Sequence, residues 1–173
     1  MKTLIFILAL TLSTSYLTAQ EKTLKKGMKN VEMVKGTYYR TDATFLDKYL
    51  GIWSNSVNGK DFKFKIFKQK TPVQGIYIDR LKAKYCFGNS CDVENIDTSI
   101  LSSAEKDNIE TLEKGILRFM FFDNNYEKLG TLEFKLLKED KASWKLIERG
   151  GFRDESFRKG FSVPAEMILT RIK

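Results

Sequence analysis

Asp61-Phe62-Lys63-Phe64-Lys65-Ile66-Phe67-Lys68 decides the fold. Phe62, Phe64 and Ile66 alternate with Lys63 and Lys65, a period of two that buries one face of an extended strand and wets the other. Just before it stands Asn58-Gly59, the dipeptide that closes a tight hairpin. Working outward, further strand patterns fall near 51–57, 75–86, 91–95, 115–122, 129–138, 141–148 and 163–172, with 61–68 among them. Turn residues separate them at Gly88-Asn89-Ser90, Asp123-Asn124-Asn125 and Glu139-Asp140. Short strands in series, few helices between, predict an all-β antiparallel up-and-down meander of about eight strands, closed as a barrel. In 75–86 the apolar parity changes from Ile76 and Ile78 to Leu81, Ala83 and Tyr85, as a β-bulge would produce.

Two places break the pattern. Thr41 or Asp42 can cap a short helical turn over 42–50, with Phe45, Leu46, Tyr49 and Leu50 on its apolar side and Gly51 to end it. Ser102-Ser103-Ala104-Glu105 has capping-box spacing, with Ile109 and Leu112 following, which predicts a short helix or an ordered loop there.

The N-terminus carries the three parts of a secretory signal peptide. Lys2 supplies the charge, Leu4 to Leu12 the apolar run, and Leu17-Thr18-Ala19 a cleavage site. The run is far short of the ~20 residues that span a bilayer, and no cysteine follows it to take a lipid. Residues 1–19 are expected to be removed, 20–40 to form a basic flexible leader, and 41–173 to form the domain. The working protein is expected to be exported, periplasmic or secreted, and soluble, without a lipoprotein anchor or transmembrane segment.

A chain of 173 residues, 42% hydrophobic and 13% aromatic, has the means to build one core. Its charge of +8 invites anionic envelope partners, but the cations are spread along the chain, which disfavours nucleic acid. Histidine is absent, excluding histidine triads, histidine zinc sites and imidazole acid–base catalysis. No Gly-rich phosphate cradle follows a strand, and the carboxylates Asp92, Glu94 and Asp97 cluster only by sequence. The expectation is a non-enzymatic protein with no catalytic residues, no cofactor and no metal.

Cys86 and Cys91 flank a turn-forming tetrapeptide between two strand-like runs. Opposed residues of an antiparallel pair lie within disulfide reach, and an exported compartment favours the bond. A redox pair needs closer spacing at a helix start, so a structural disulfide is expected.

Gly51-Ile52-Trp53 after a helical turn resembles the Gly-x-Trp signature of lipocalins and wider calycin barrels. That resemblance implies a Trp53 packed at the closed barrel end against a cation of the last strand, where Arg171 stands. The chain is also similar to a family of small exported bacterial proteins of unknown function, on the signal peptide, the Gly-x-Trp start and the stretch Phe161 to Thr170. The resemblance brings no catalytic residues. The C-terminal helix of many lipocalins has no counterpart after residue 148.

Two functions follow from such a barrel. One is binding of a small apolar or amphipathic ligand in a pocket lined from Phe62, Phe64, Ile66, Phe119, Phe121, Leu132, Phe134, Leu136, Trp144 and Leu146. The other fills the lumen with those side chains and works through surface loops, as an envelope interaction or inhibitor-type protein. The segment 149–161 interleaves Phe152, Phe157 and Phe161 with Arg149, Arg153, Arg158 and Lys159, and is the first candidate for ligand or partner contacts.

Overall fold

A computed structural model describes residues 20–24, 33–96, 101–102, 114–138, 140–149 and 158–172. The strands are β1 (Glu21–Thr23), β2 (Tyr38–Arg40), β3 (Gly51–Val57), β4 (Lys60–Val73), β5 (Ile76–Gly88), β6 (Leu101–Ser102), β7 (Ile116–Asp123), β8 (Lys128–Leu136), β9 (Lys141–Glu148) and β10 (Glu166–Ile172). One short helix, α1 (Ala43–Leu46), runs into a 3-10 turn over Asp47–Tyr49. The strands form a single curled sheet in the order β1-β2-β5-β4-β3-β10-β9-β8-β7, with β6 attached to β5. Pairing of the late β10 with the early β3 bends the meander round on itself into a half-barrel.

Local chemistry sets the hairpins. Asn58 and Gly59 take φ of 53° and 74°, the left-handed pair that a two-residue turn between twisted strands requires. The register from Gly51↔Ile66 to Val57↔Lys60 follows from that turn. Asp42 caps α1, accepting from the Thr44 amide at 2.9 Å.

Alternation then builds the core. Phe62, Phe64 and Ile66 of β4 point inward beside Leu81, Ala83 and Tyr85 of β5, and meet Leu117, Phe119 and Phe121 of β7. Leu132 and Phe134 of β8, Trp144 and Leu146 of β9 and Leu169 of β10 complete the lining. Leu46 and Tyr49 pack into the same cluster from α1 and its 3-10 turn. Trp144 sits edge-on to Phe62, Phe64 and Phe121 at centroid distances of 4.8, 5.1 and 5.9 Å. Of the ten residues expected inside, nine are buried and Leu136 is partly so.

Three expectations change. The stretch 20–40 is not only a leader: β1 joins β2, and β2 joins β5, both in parallel, so the sheet is mixed rather than purely antiparallel. These additions are held at the side-chain level by Asp79, which accepts from the Tyr38 hydroxyl and, at 3.1 Å, from the Thr41 amide. The bulge in 75–86 is absent; β4 and β5 pair without interruption from Asp61↔Gly88 to Val73↔Ile76. The parity change has another cause, because β5 buries Ile76 at its start and Asp79, Leu81, Ala83 and Tyr85 thereafter on the opposite face. Third, 91–95 is a turn and not a strand. The helix or loop expected over 103–113 lies outside the described residues, and Ser102 belongs to β6.

Cys86 and Cys91 are disulfide-bonded, with Cα atoms 5.4 Å apart. The bond lays the segment 91–96 over the outer face of β4 and β5, where Cys86, Cys91 and Val93 form a second small core with Ile52 and Ile96 packed on it. Lys65 and Lys84 are direct cross-strand partners, an arrangement of like charges that costs stability when uncompensated. The segment compensates it. Glu94 pairs with Lys65, the Ile96 carbonyl accepts from Lys84 at 3.5 Å, and the Cys91 carbonyl accepts from Lys63 at 2.9 Å. Replacing both cysteines with Ser is expected to cost about 2 kcal/mol. Hydrogen exchange over 91–96 should then accelerate well before the β4 and β5 amides respond; unchanged exchange there would mean that the lysine contacts alone hold the segment.

Candidate functional site

Two places could carry function: the barrel interior and the barrel end where the segment 158–162 returns to the sheet. The interior is occupied. Trp53, Trp144, Tyr49, Phe62, Phe64, Phe119, Phe121 and Phe134 are all at most 1% exposed. Phe134 stands edge-on to Trp53 at 5.1 Å and tilted against Phe64 at 5.6 Å, so rings from β3, β4 and β8 pack against one another across the interior. A surface groove of about 320 Å³ lies between β9 and β10, lined by Ser143, Trp144, Lys145, Glu166, Met167 and Ile168.

One end of the curled sheet carries Gly51, Trp53 and Arg171. Arg171 is the register partner of Trp53, and its guanidinium lies 4.4 Å from the indole. It also donates to the Lys48 carbonyl, and the Asp140 carboxylate lies 3.7 Å from its Nε. The Trp53 indole N–H donates to the Tyr49 carbonyl at 3.0 Å. Gly51, with φ of 114°, makes the bend between the 3-10 turn and β3. Together these tie β3, β10 and the 3-10 turn at one point.

The other end is organised by a buried carboxylate. Asp123, at 0% exposure, ends β7 and accepts from the Asn125 and Tyr126 amides at 3.0 and 3.2 Å, closing the β7–β8 turn. It also accepts from the Ser162 amide and from the Ser162 hydroxyl at 2.7 Å. One carboxylate thus fastens the turn to the segment 158–162, and its charge-assisted bonds are the strong kind. Phe161 then lies over the barrel mouth, edge-on to Phe121 at 5.6 Å. Gly130 makes room for it, since a Cβ there would come within 2.7 Å of the Phe161 ring. Glu148 accepts from the Lys128 ammonium at 2.9 Å and the Gly160 amide at 2.7 Å. Lys128 also lies over the Phe161 ring, and the Arg158 guanidinium over Tyr126 at 5.3 Å.

Of the candidate contact residues, Arg158 and Phe161 meet at this end, Arg158 exposed and Phe161 turned into the core. Phe152, Arg153 and Phe157 lie outside the described residues. Asp123, Lys128 and Glu148 were not singled out from sequence. Aspartate in an Asp-Asn-Asn turn is ordinary turn chemistry, and only the fold shows that its second oxygen reaches Ser162. Among the described residues no group of three or more Cys, Asp or Glu is placed to hold a metal ion, and no helix is long and apolar enough to cross a membrane.

Burial, and after it the Asp123 charge, pushes the Tyr85 hydroxyl from 10.0 up to about 12. Tyr38 is likewise raised to about 12, by burial and then by its bond to Asp79. The fold prefers both phenols neutral. Their stabilisation is therefore whole below pH 10 and disappears as the pH climbs through about 12. Near-ultraviolet titration of the folded chain should show Tyr85 and Tyr38 ionising late, and the delay should vanish in denaturant; ionisation of Tyr85 near pH 10 in the folded protein would contradict its burial.

No curated protein and no solved structure matches the chain. One family model does, over residues 1–172, and the chain belongs to that family, a family of unknown function (DUF6705).

Proposed function

We propose that the protein is an exported, non-enzymatic interaction protein of lipocalin-like build, whose barrel is filled by its own side chains and which acts through its surface on an anionic component of the cell envelope. The aromatic interior carries this reading: rings at 1% exposure or less pack against one another where a pocket-forming barrel would hold its ligand, which favours action through the surface. The signal-peptide pattern of 1–19 supports export. Trp53 under Arg171, between the first and last barrel strands, supports the lipocalin likeness. The cationic balance, +8 over the full chain and +7 once Lys2 leaves with residues 1–19, supports an anionic partner.

The barrel end at 158–162 is the proposed contact region, since Arg158 and Lys159 are exposed there on a segment fixed by Asp123 and Glu148. Cosedimentation with a washed envelope fraction tests it. Wild-type protein should pellet in low salt and be released by high salt, and Arg158→Ala with Lys159→Ala should reduce pelleting several-fold. Equal pelleting of wild type and variant would place the contact elsewhere. No pelleting at all, beside saturable uptake of an apolar probe, would favour the alternative, a small ligand held in a barrel pocket.

A further inference from the structure

The outer face of β7 to β9 departs from the rule that the solvent side of such a sheet is polar. On β4 the outward positions include Lys63 and Lys65; on β7 they include Met120 and Phe122, beyond Arg118. Met120, Phe122, Leu129 and Ile147 are 50, 38, 48 and 43% exposed. They are contiguous, because Phe122 pairs across the strands with Leu129, and Met120 pairs with Thr131, which pairs in turn with Ile147. Arg149 lies among them, its Nε donating to the Thr131 hydroxyl at 3.0 Å. Of the acidic groups of these strands, Glu133 is held by Arg118 at 2.9 Å, Glu148 by Lys128 at 2.9 Å, and Asp123 is buried.

We propose that this face docks on an anionic lipid bilayer surface, inserting Met120, Phe122, Leu129 and Ile147 among the headgroups while Arg149 and the nearby Arg158 and Lys159 meet the lipid phosphates. Four apolar side chains with cations beside them match the chemistry of an interfacial anchor, in which buried apolar area and attraction to anionic lipid act together. The shape favours lipid over a protein partner. A stable protein interface needs about 800 Å² from each side with matched contours, whereas this patch sits on the outside of a curled sheet and is four side chains wide. A bilayer needs no matched contour.

The proposal specifies the partner of the envelope reading above and rests on it. Its test is flotation of the full chain with vesicles of phosphatidylcholine alone or mixed with phosphatidylglycerol. Binding should be about tenfold or more stronger with phosphatidylglycerol present, the combined effect of two or more cations near the surface. Arg149→Gln should reduce only that advantage, by about fivefold. Phe122→Ser with Leu129→Ser should weaken binding to the mixed vesicles at least tenfold; both side chains point outward, and circular dichroism checks the fold. If that pair disturbs folding, Ile147→Ser supplies the same test on another strand. Absent vesicle binding, or binding indifferent to these substitutions, overturns the proposal. So does a concentration-dependent dimer that the same substitutions abolish, which would give the face to a second copy. Envelope pelleting that persists while vesicle binding fails would leave the function standing and remove only the lipid.

Discussion

Replacing Phe64 with Ala is expected to destabilise the protein by about 3–5 kcal/mol in urea unfolding. Phe64 is 0% exposed and stands against Phe119 at 5.6 Å, Phe134 at 5.6 Å and Trp144 at 5.1 Å. Its ring has neighbours on every inward side, so truncation leaves a void that strands in a pinned register cannot close. In a hollow barrel the same ring would face a lumen, and its loss would open no new cavity. A cost below about 1 kcal/mol would therefore argue for an open interior, which makes the substitution a probe of function as well as of stability.

Asp123→Ala should cost about 3 kcal/mol. The carboxylate accepts from the Asn125, Tyr126 and Ser162 amides and from the Ser162 hydroxyl, and truncation removes the acceptor from all four at a buried position. The damage should be local at first. Hydrogen exchange at Asn125, Tyr126 and Ser162 should rise together, and Phe161 should lose its fixed place over Phe121. Asp123→Asn keeps one acceptor oxygen and should fall between wild type and Ala. Faster exchange in the β7–β8 turn with no change at Ser162 would show that the segment 158–162 is held by Glu148 and core packing instead.

The curled β-sheet was legible in the sequence wherever one rule governed both neighbours of a residue, though the sheet ends as a half-barrel rather than the closed barrel expected. Alternation in 61–68 identified the inward rings of β4, the Asn58-Gly59 pair set its register with β3, and Gly51-Ile52-Trp53 marked the entry strand. What stayed hidden depended on contacts that alternation does not encode. β1 and β2 are three residues each and join by edge hydrogen bonding, so 20–40 reads as a polar leader until Asp79 is seen to hold Tyr38 and Thr41. Residues 91–95 carry strand-like composition, yet Val93 is buried against the outside of the barrel, in a core that belongs to the disulfide segment. Asp92 turns the chain there by accepting from the Glu94 amide and the Asn95 side chain. In β7 the run Phe119-Met120-Phe121-Phe122 is apolar on both faces, so periodicity marks a strand but cannot mark an exposed patch. The candidate end was legible only in part: Arg158 and Phe161 were named, while the carboxylate that fixes their segment looked like any turn aspartate.

The most direct test of a filled barrel is titration of the native protein with a fluorescent fatty acid, read through the emission of its two tryptophans. Trp53 and Trp144 are each 1% exposed inside the core, so a ligand in the lumen must contact them. The expected result is no saturable quenching of tryptophan emission and no lipid adduct in the native mass spectrum. One-to-one uptake with quenching of both indoles would contradict it and return the protein to the class of pocket-forming carriers.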